Sequence, residues 1–299
     1  MFIWQIIAVC VSILTTIYSL ICRDSKADLR YHFYLLAESH RSLGEKLHIE
    51  NVDSLETCKQ LTRLYKGLAF NYGPKDRLRN KVTIAGNTSR DHYWEQAQLY
   101  FNCHVLKCPE RESSKTLIND SSFNYYSLYD QLIAVPHHIC VSQVGIFTLS
   151  TNPETFVNAS MQCQKPNNDT KQCGSLAHIA SEKRTTSLAR ILTEYNEKQE
   201  EIKLKSKINL AYVGLHFNRS RGNHFEMFNM DDDSLRCFGY RAWEPGNPKM
   251  SSNLRNTSCV ALSSHGTWLT VDCKRKLPYF CEVLTRCHDK KDGWKGANQ

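Results

Sequence analysis

Thirteen cysteines and twelve histidines are the residues of this 299-residue chain best equipped for chemistry. Neither set has the spacing of a catalytic or metal centre. His137 and His138 are adjacent, so on an extended chain they face opposite ways, and no His-Glu-x-x-His run sets two imidazoles one helical turn apart. No Cys-x-x-Cys pair offers a zinc site, and there is no Gly-x-Ser-x-Gly elbow, phosphate-cradling glycine loop or dinucleotide fingerprint. Asp231, Asp232 and Asp233 form an acidic triplet of the kind that ordinarily sits hydrated in a loop. The chemistry left to so many thiols is oxidation to disulfides. That predicts an oxidising compartment, and the missing catalytic motifs predict a chain that is not an enzyme.

Residues 1–22 supply the route to such a compartment. Phe2 to Cys22 is apolar apart from Gln5, Ser12, Thr15, Thr16 and Ser19, and Arg23 and Asp24 end it sharply, which reads as a signal peptide. The same stretch is long enough to anchor the chain in a bilayer if it is not removed, the one way in which a membrane enters this reading. Six Asn-x-Ser/Thr sequons, at Asn87, Asn119, Asn158, Asn168, Asn218 and Asn256, agree with a secreted, N-glycosylated protein. Cutting after Cys22 removes Cys10 and Cys22 and leaves eleven cysteines, so that one of Cys58, Cys103 or Cys108 is free or joins a second chain in a disulfide-linked dimer. Cutting before Cys22 restores an even count. The net charge of +8 comes from 38 basic and 30 acidic residues scattered without a basic block, which argues against nucleic acid and leaves acidic glycans or anionic cell surfaces as partners.

At 299 residues and 41% hydrophobic the chain predicts two modules. In the first, residues 23–135, Ala27 to Leu47 has a helical flavour from Leu35, Leu36, Leu43 and Leu47. Ser54 then caps a helix with Leu55, Cys58, Leu61 and Leu64 on one face. A strand over Gly67 to Tyr72 ends at Gly73-Pro74. Another, Tyr100 to Pro109, carries Cys103 and Cys108, and Phe123 to Tyr129 is placed to pair with it. This order resembles PAN/apple-like and MANSC-type extracellular modules, which usually hold more cysteines, so their bridge pattern does not carry over intact. Residues 284–299 read as a flexible basic tail.

The second module, residues 136–283, has more specific landmarks. Gly145 to Ser150 reads as a strand, Pro153 as a first-turn helix residue, and Phe156, Ala159, Ser160 and Cys163 as that helix's inward face. Ser181 follows Gly174-Ser-Leu-Ala-His-Ile-Ala and caps a second helix with the stripe Leu188, Ile191, Leu192 and Tyr195. The charged run Asn196 to Lys207 reads as a solvated insertion, and Asn209 to Leu215 as a strand buried on both faces. Next come Trp243-Glu-Pro-Gly-Asn-Pro248, Ser258-Cys-Val-Ala-Leu262, Gly266-Thr-Trp268, Cys273 and Pro278-Tyr-Phe-Cys-Glu282.

Taken together these residues resemble the C-type-lectin-like domain. The resemblance implies an α+β fold of two helices, small antiparallel sheets and a long irregular loop region from about residue 215 to 260. It implies the bridges Cys163–Cys281 and Cys259–Cys273, and leaves Cys173–Cys237 and Cys140–Cys287 as further pairings, the last because this fold brings its ends together. Sugar-binding members hold Ca2+ through Glu/Gln-Pro-Asn/Asp and Trp-Asn-Asp motifs, since a hard cation needs six to eight oxygens. Here Asn247-Pro248-Lys249 and Trp268-Leu269-Thr270 stand at those positions, so no calcium or other cofactor is expected. The expected function is recognition of an extracellular protein or glycan by Trp243, Asn247, Lys249, Leu269 and Thr270. Assembly of a matrix or secreted complex, and calcium-dependent carbohydrate binding, are the alternatives.

Overall fold

The computed structural model describes residues 32–75, 101–135, 137–165, 172–201, 207–217, 227–230, 234–249 and 258–286. The leader, the acidic triplet 231–233, Cys287 and the sequons Asn87, Asn168, Asn218 and Asn256 lie outside them. Among the described residues no helix is long and apolar enough to cross a membrane.

The first part of the chain builds a five-stranded antiparallel sheet. It comprises β1 (Tyr34–Ala37), β3 (Lys46–Glu50), β4 (Ala69–Tyr72), β5 (Cys103–Leu106) and β7 (Asn124–Ser127), in the order β1-β7-β4-β5-β3. A separate ribbon pairs β2 (His40–Ser42) with β6 (Leu117–Asn119). The segment with helical flavour is therefore three strands. Leu35 and Leu36 pair with or pack beside β7 and supply alternating faces, so tertiary pairing overrides their helix propensity. Nor does β7 pair with β5, because β4 lies between them.

Helix α1 (Leu55–Leu64) starts at Ser54, whose Oγ accepts the Thr57 N–H at 3.1 Å. Its buried face is Cys58 and Thr62, whereas Leu64 is 70% exposed. The disulfide Cys58–Cys103 fixes that face to β5, drawing Thr62 and not Leu64 inward.

The second part forms an eight-stranded sheet. Its main path is β14-β13-β11-β15-β9-β8, built from β8 (Ile139–Val141), β9 (Gly145–Glu154), β11 (Leu210–Phe217), β13 (Ser258–Ser263), β14 (Trp268–Asp272) and β15 (Leu277–Val283). Off this path β10 (Gly174–Leu176) pairs with β15 and β12 (Met227–Asn229) with β11. Pro153 lies in β9, not in a helix: Thr155 is the cap of α2 (Phe156–Gln164), its side chain accepting the Asn158 N–H. Phe156, Ala159, Ser160 and Cys163 form the buried face of α2. Helix α3 (Glu182–Glu201) buries Leu188, Ala189, Ile191 and Leu192, and Ser181 Oγ accepts the Arg184 N–H at 3.3 Å. The charged run expected as an insertion is helical as far as Glu201, and the Asn196 side chain closes the return by bonding both backbone groups of Ile208.

Cys163 is bonded to Cys281 and Cys259 to Cys273. Cys140 is bonded to Cys108 and not to Cys287, because the β8 edge of the second sheet lies against the segment following β5, with the two Cα atoms 6.2 Å apart. Cys173 and Cys237 are each disulfide-bonded as well. With Cys58, Cys103 and Cys108 all engaged within the chain, none of them is left to join a second copy.

The two parts share a core. Phe70, Tyr126, Tyr129 and Ile133 from the first pack with Ile146 and Val283 from the second. Across this junction the buried Tyr129 hydroxyl accepts the Ile146 N–H at 3.1 Å. Leu284 and Thr285, expected in the tail, are tied back: the Leu284 N–H reaches Cys173 O and the Asp130 N–H reaches Thr285 O, each at 3.0 Å.

Candidate functional site

Strand β14 organises the site. Its first residue, Trp268, is fully buried, and its Nε1 donates to Thr185 Oγ1 on α3 at 3.1 Å. That threonine passes its own proton to Ile179 O at 2.8 Å, so the indole is satisfied where no water reaches it. Tyr240 and Trp243 meet the Trp268 ring edge-on, with centroids 5.7 and 5.4 Å away. Trp243 is half-buried, part core and part surface.

From this anchor the segment 242–249 runs alongside β14, fastened to it at successive positions. The Trp268 N–H donates to Ala242 O at 2.7 Å, and the Glu244 N–H to Trp268 O at 3.0 Å. The Thr270 N–H donates to Asn247 Oδ1 at 3.0 Å, and the Lys249 N–H to Thr270 Oγ1 at 3.2 Å. Between these points the chain reverses at Glu244-Pro245-Gly246-Asn247, closed by the Asn247 N–H on Glu244 O at 2.9 Å. Proline in the second place presets its φ, and Gly246 supplies the φ of +80° that this turn needs in the third. The Asn247–Pro248 peptide is cis.

The structure thus brings Trp243, Asn247, Lys249 and Thr270 to one seam, with Lys249 exposed and the others partly so. Leu269 stands apart. Adjacent residues of a strand alternate, so it points to the face of β14 opposite Trp268 and Thr270. Two further participants complete the seam. Glu244, which forms a Glu-Pro pair next to Trp243, accepts from Thr267 Oγ1 at 2.8 Å, and Thr185 holds the indole. The sequence offers no sign of Thr185, 83 residues from its partner.

This donor set does not fit Ca2+. The Asn247 oxygen already accepts an N–H, Lys249 adds a positive charge, Leu269 offers no oxygen, and the Glu244 carboxylate serves Thr267. The next acid along β14, Asp272, accepts the Lys274 N–H at 2.9 Å at the far end of the strand. Among the described residues no group of three or more His, Cys, Asp and Glu is arranged to hold a metal.

A second polar constellation braces the domain. Arg184 on α3 grips Glu282 on β15 with two bonds of 2.7 Å, and the same guanidinium reaches His178 O and Val144 O. The His178 N–H adds a third bond to Glu282 at 3.1 Å. Burial would raise the Glu282 carboxyl, but the Arg184 charge and hydrogen bonds, together with His178, outweigh it and hold the group below the usual carboxylate range.

Residues 152–283 match the Lectin C-type domain. The fold of this part is C-type-lectin-like, with helices α2 and α3 packed on the eight-stranded sheet. Among solved structures, human lithostathine aligns at 18% identity over 50% of this chain and 97% of its own, with a TM-score of 0.37. The cow CD23 C-type carbohydrate-recognition domain, solved in the presence of a GlcNAc2Man3 oligosaccharide, aligns at 19% over 52% and 98%, TM-score 0.36. The mouse scavenger receptor C-type lectin carbohydrate-recognition domain gives 17% over 50% and 96%, TM-score 0.36. No curated protein matches the chain at a significant level. The match covers only the second part of the chain, and the PAN/apple- or MANSC-like reading of the first part has no support from these comparisons.

Proposed function

We propose that this chain is a secreted, N-glycosylated binding protein whose lectin-type domain recognises an extracellular protein or glycan without calcium, through the seam of Trp243, Asn247, Lys249 and Thr270. The observation that carries the reading is the fastening of segment 242–249 to β14. A recognition loop must be held still before it meets its ligand, or ordering it consumes binding energy. Here the holding is done by hydrogen bonds from Trp268, Glu244, Thr270 and Lys249. The exposed groups so presented are an aromatic edge, an amide, a hydroxyl and an ammonium, which suit sugar hydroxyls and carboxylates or a polar protein surface. Two sequons fit this setting, since Asn119 and Asn158 are both exposed.

The test is a glycan and protein binding screen with the secreted product, with and without EDTA. Signal that survives the chelator and falls about tenfold in Lys249→Ala supports the reading, as expected for loss of a charged contact. Micromolar Ca2+ binding by calorimetry, or glycan binding abolished by EDTA, overturns it.

A further inference from the structure

The turn between β14 and β15 carries Lys274, Arg275 and Lys276 in succession, all three exposed. Among the described residues none of the three has an ion-pair partner. The nearest acids are otherwise engaged. Asp272 Oδ1 accepts the Lys274 N–H, and Glu154, opposite Leu277 in the sheet, accepts from the Asn158 amide at 3.1 Å.

The turn is also stiff. The Arg275 N–H closes it on Asp272 O at 3.0 Å, and the Tyr212 hydroxyl shares its proton between Asp272 O at 2.9 Å and Arg275 O at 2.6 Å. Burial raises the Tyr212 phenol well above its usual value, so the proton stays in place. Cys273 is bonded to Cys259, and its carbonyl accepts the Phe156 N–H at 3.0 Å.

Three cations with no ion-pair partner among the described residues, on a backbone fastened from three sides, make a rigid positive surface. We propose that Lys274, Arg275 and Lys276 dock a sulfated polysaccharide. Closely spaced sulfates match closely spaced charges, the arginine fork can engage one sulfate bidentately, and the lysines act as point charges. A membrane fits less well, because the next apolar residue, Leu277, is buried and the turn offers nothing to insert. The turn lies at the opposite end of β14 from Trp268, about 13 Å away at roughly 3.3 Å per residue, so both surfaces can be occupied at once.

Heparin is the probe, and the full secreted chain is the protein. Wild type is expected to bind it at 0.15 M salt, with unsulfated hyaluronan failing to compete. Lys274→Ala, Arg275→Ala and Lys276→Ala together are expected to weaken binding about tenfold, from three exposed charge contacts. The control removes the same charge from α3 as Lys183→Ala, Arg190→Ala and Lys198→Ala, and is expected to change binding less than about threefold. Near-UV circular dichroism verifies that both triples keep the fold. Absence of heparin binding in wild type, or equal losses in the two triples, overturns the assignment. So does a turn triple that loses binding to phosphatidylserine vesicles while keeping heparin. The turn triple is expected to leave unchanged the signal that Lys249→Ala lowers in the binding screen, so the fate of this site is read separately from that of the loop seam.

Discussion

Removing Arg184 should cost the lectin-type domain more than any other exposed-looking substitution, because the charge it leaves behind cannot escape to water. Glu282 and Arg184 side chains are only 16% and 21% exposed, and the carboxylate receives two guanidinium bonds and one backbone bond. Arg184→Met keeps an unbranched apolar stem but removes the guanidinium, which lies over the Phe147 ring, and so strips two of those three bonds. A carboxylate so stranded loses about 2–4 kcal/mol. Glu282→Gln keeps an oxygen for the His178 N–H and loses the charge, for about 1–2 kcal/mol.

Because both substitutions break the same contact, the double variant should fall short of the sum by at least about 1 kcal/mol. The assay is equilibrium denaturation of the disulfide-intact chain at pH 7 and again at pH 3. The pH arm has a definite sign. A carboxyl held below its free value of about 4.5 contributes stability above that pH and loses it as pH falls through the lower folded value. The gap between wild type and Glu282→Gln should therefore narrow at pH 3. Additive single-site costs, or a gap that does not change with pH, would refute the reasoning.

Thr185→Val removes the acceptor of the Trp268 indole and should cost about 1–2 kcal/mol, read as a lowered melting temperature. Tyr129→Phe leaves the buried Ile146 N–H without its acceptor and should cost about 1–3 kcal/mol; because the two parts share a core, a single cooperative transition should shift as a whole. Rebuilding one half of an ion site, as Asn247→Glu with Lys249→Asn, should not give micromolar Ca2+ binding in calorimetry, since it supplies one carboxylate where several are needed.

Much of the second module's fold was legible because its signals are local and redundant. The face Phe156, Ala159, Ser160, Cys163 has helical period, and Asn209 to Leu215 is a near-continuous apolar run, so each element declares itself without knowledge of its neighbours. The first module reads worse for the converse reason. Tyr34–Ala37, His40–Ser42 and Lys46–Glu50 are short, and what makes them strands is pairing with Asn124–Ser127, Leu117–Asn119 and Cys103–Leu106, some 60 to 90 residues downstream. The same holds for Cys108–Cys140. Sequence order places the two cysteines in different modules, and only the contact between the β8 edge and the segment after β5 makes them partners.

At the site, residue types were legible and their geometry was not. The lack of a carboxylate at Asn247 and Thr270, and of any side-chain oxygen at Leu269, can be read letter by letter. What braces the loop cannot, because it rests on backbone groups whose partners are fixed only when segment 242–249 lies beside β14. In an ion-holding loop, carboxylates converge on a cation and their mutual repulsion is cancelled by it. Here the Asn247 oxygen is turned to an N–H of β14 and the Thr270 hydroxyl to an N–H of the loop, and neither needs a counter-charge. A neutral amide at 247 and a hydroxyl at 270 therefore suit this brace, and the lysine at 249 adds a charge that would oppose a cation beside it. The residues at 247, 249 and 270 form one consistent set: each takes part in a hydrogen bond that fastens the loop to β14.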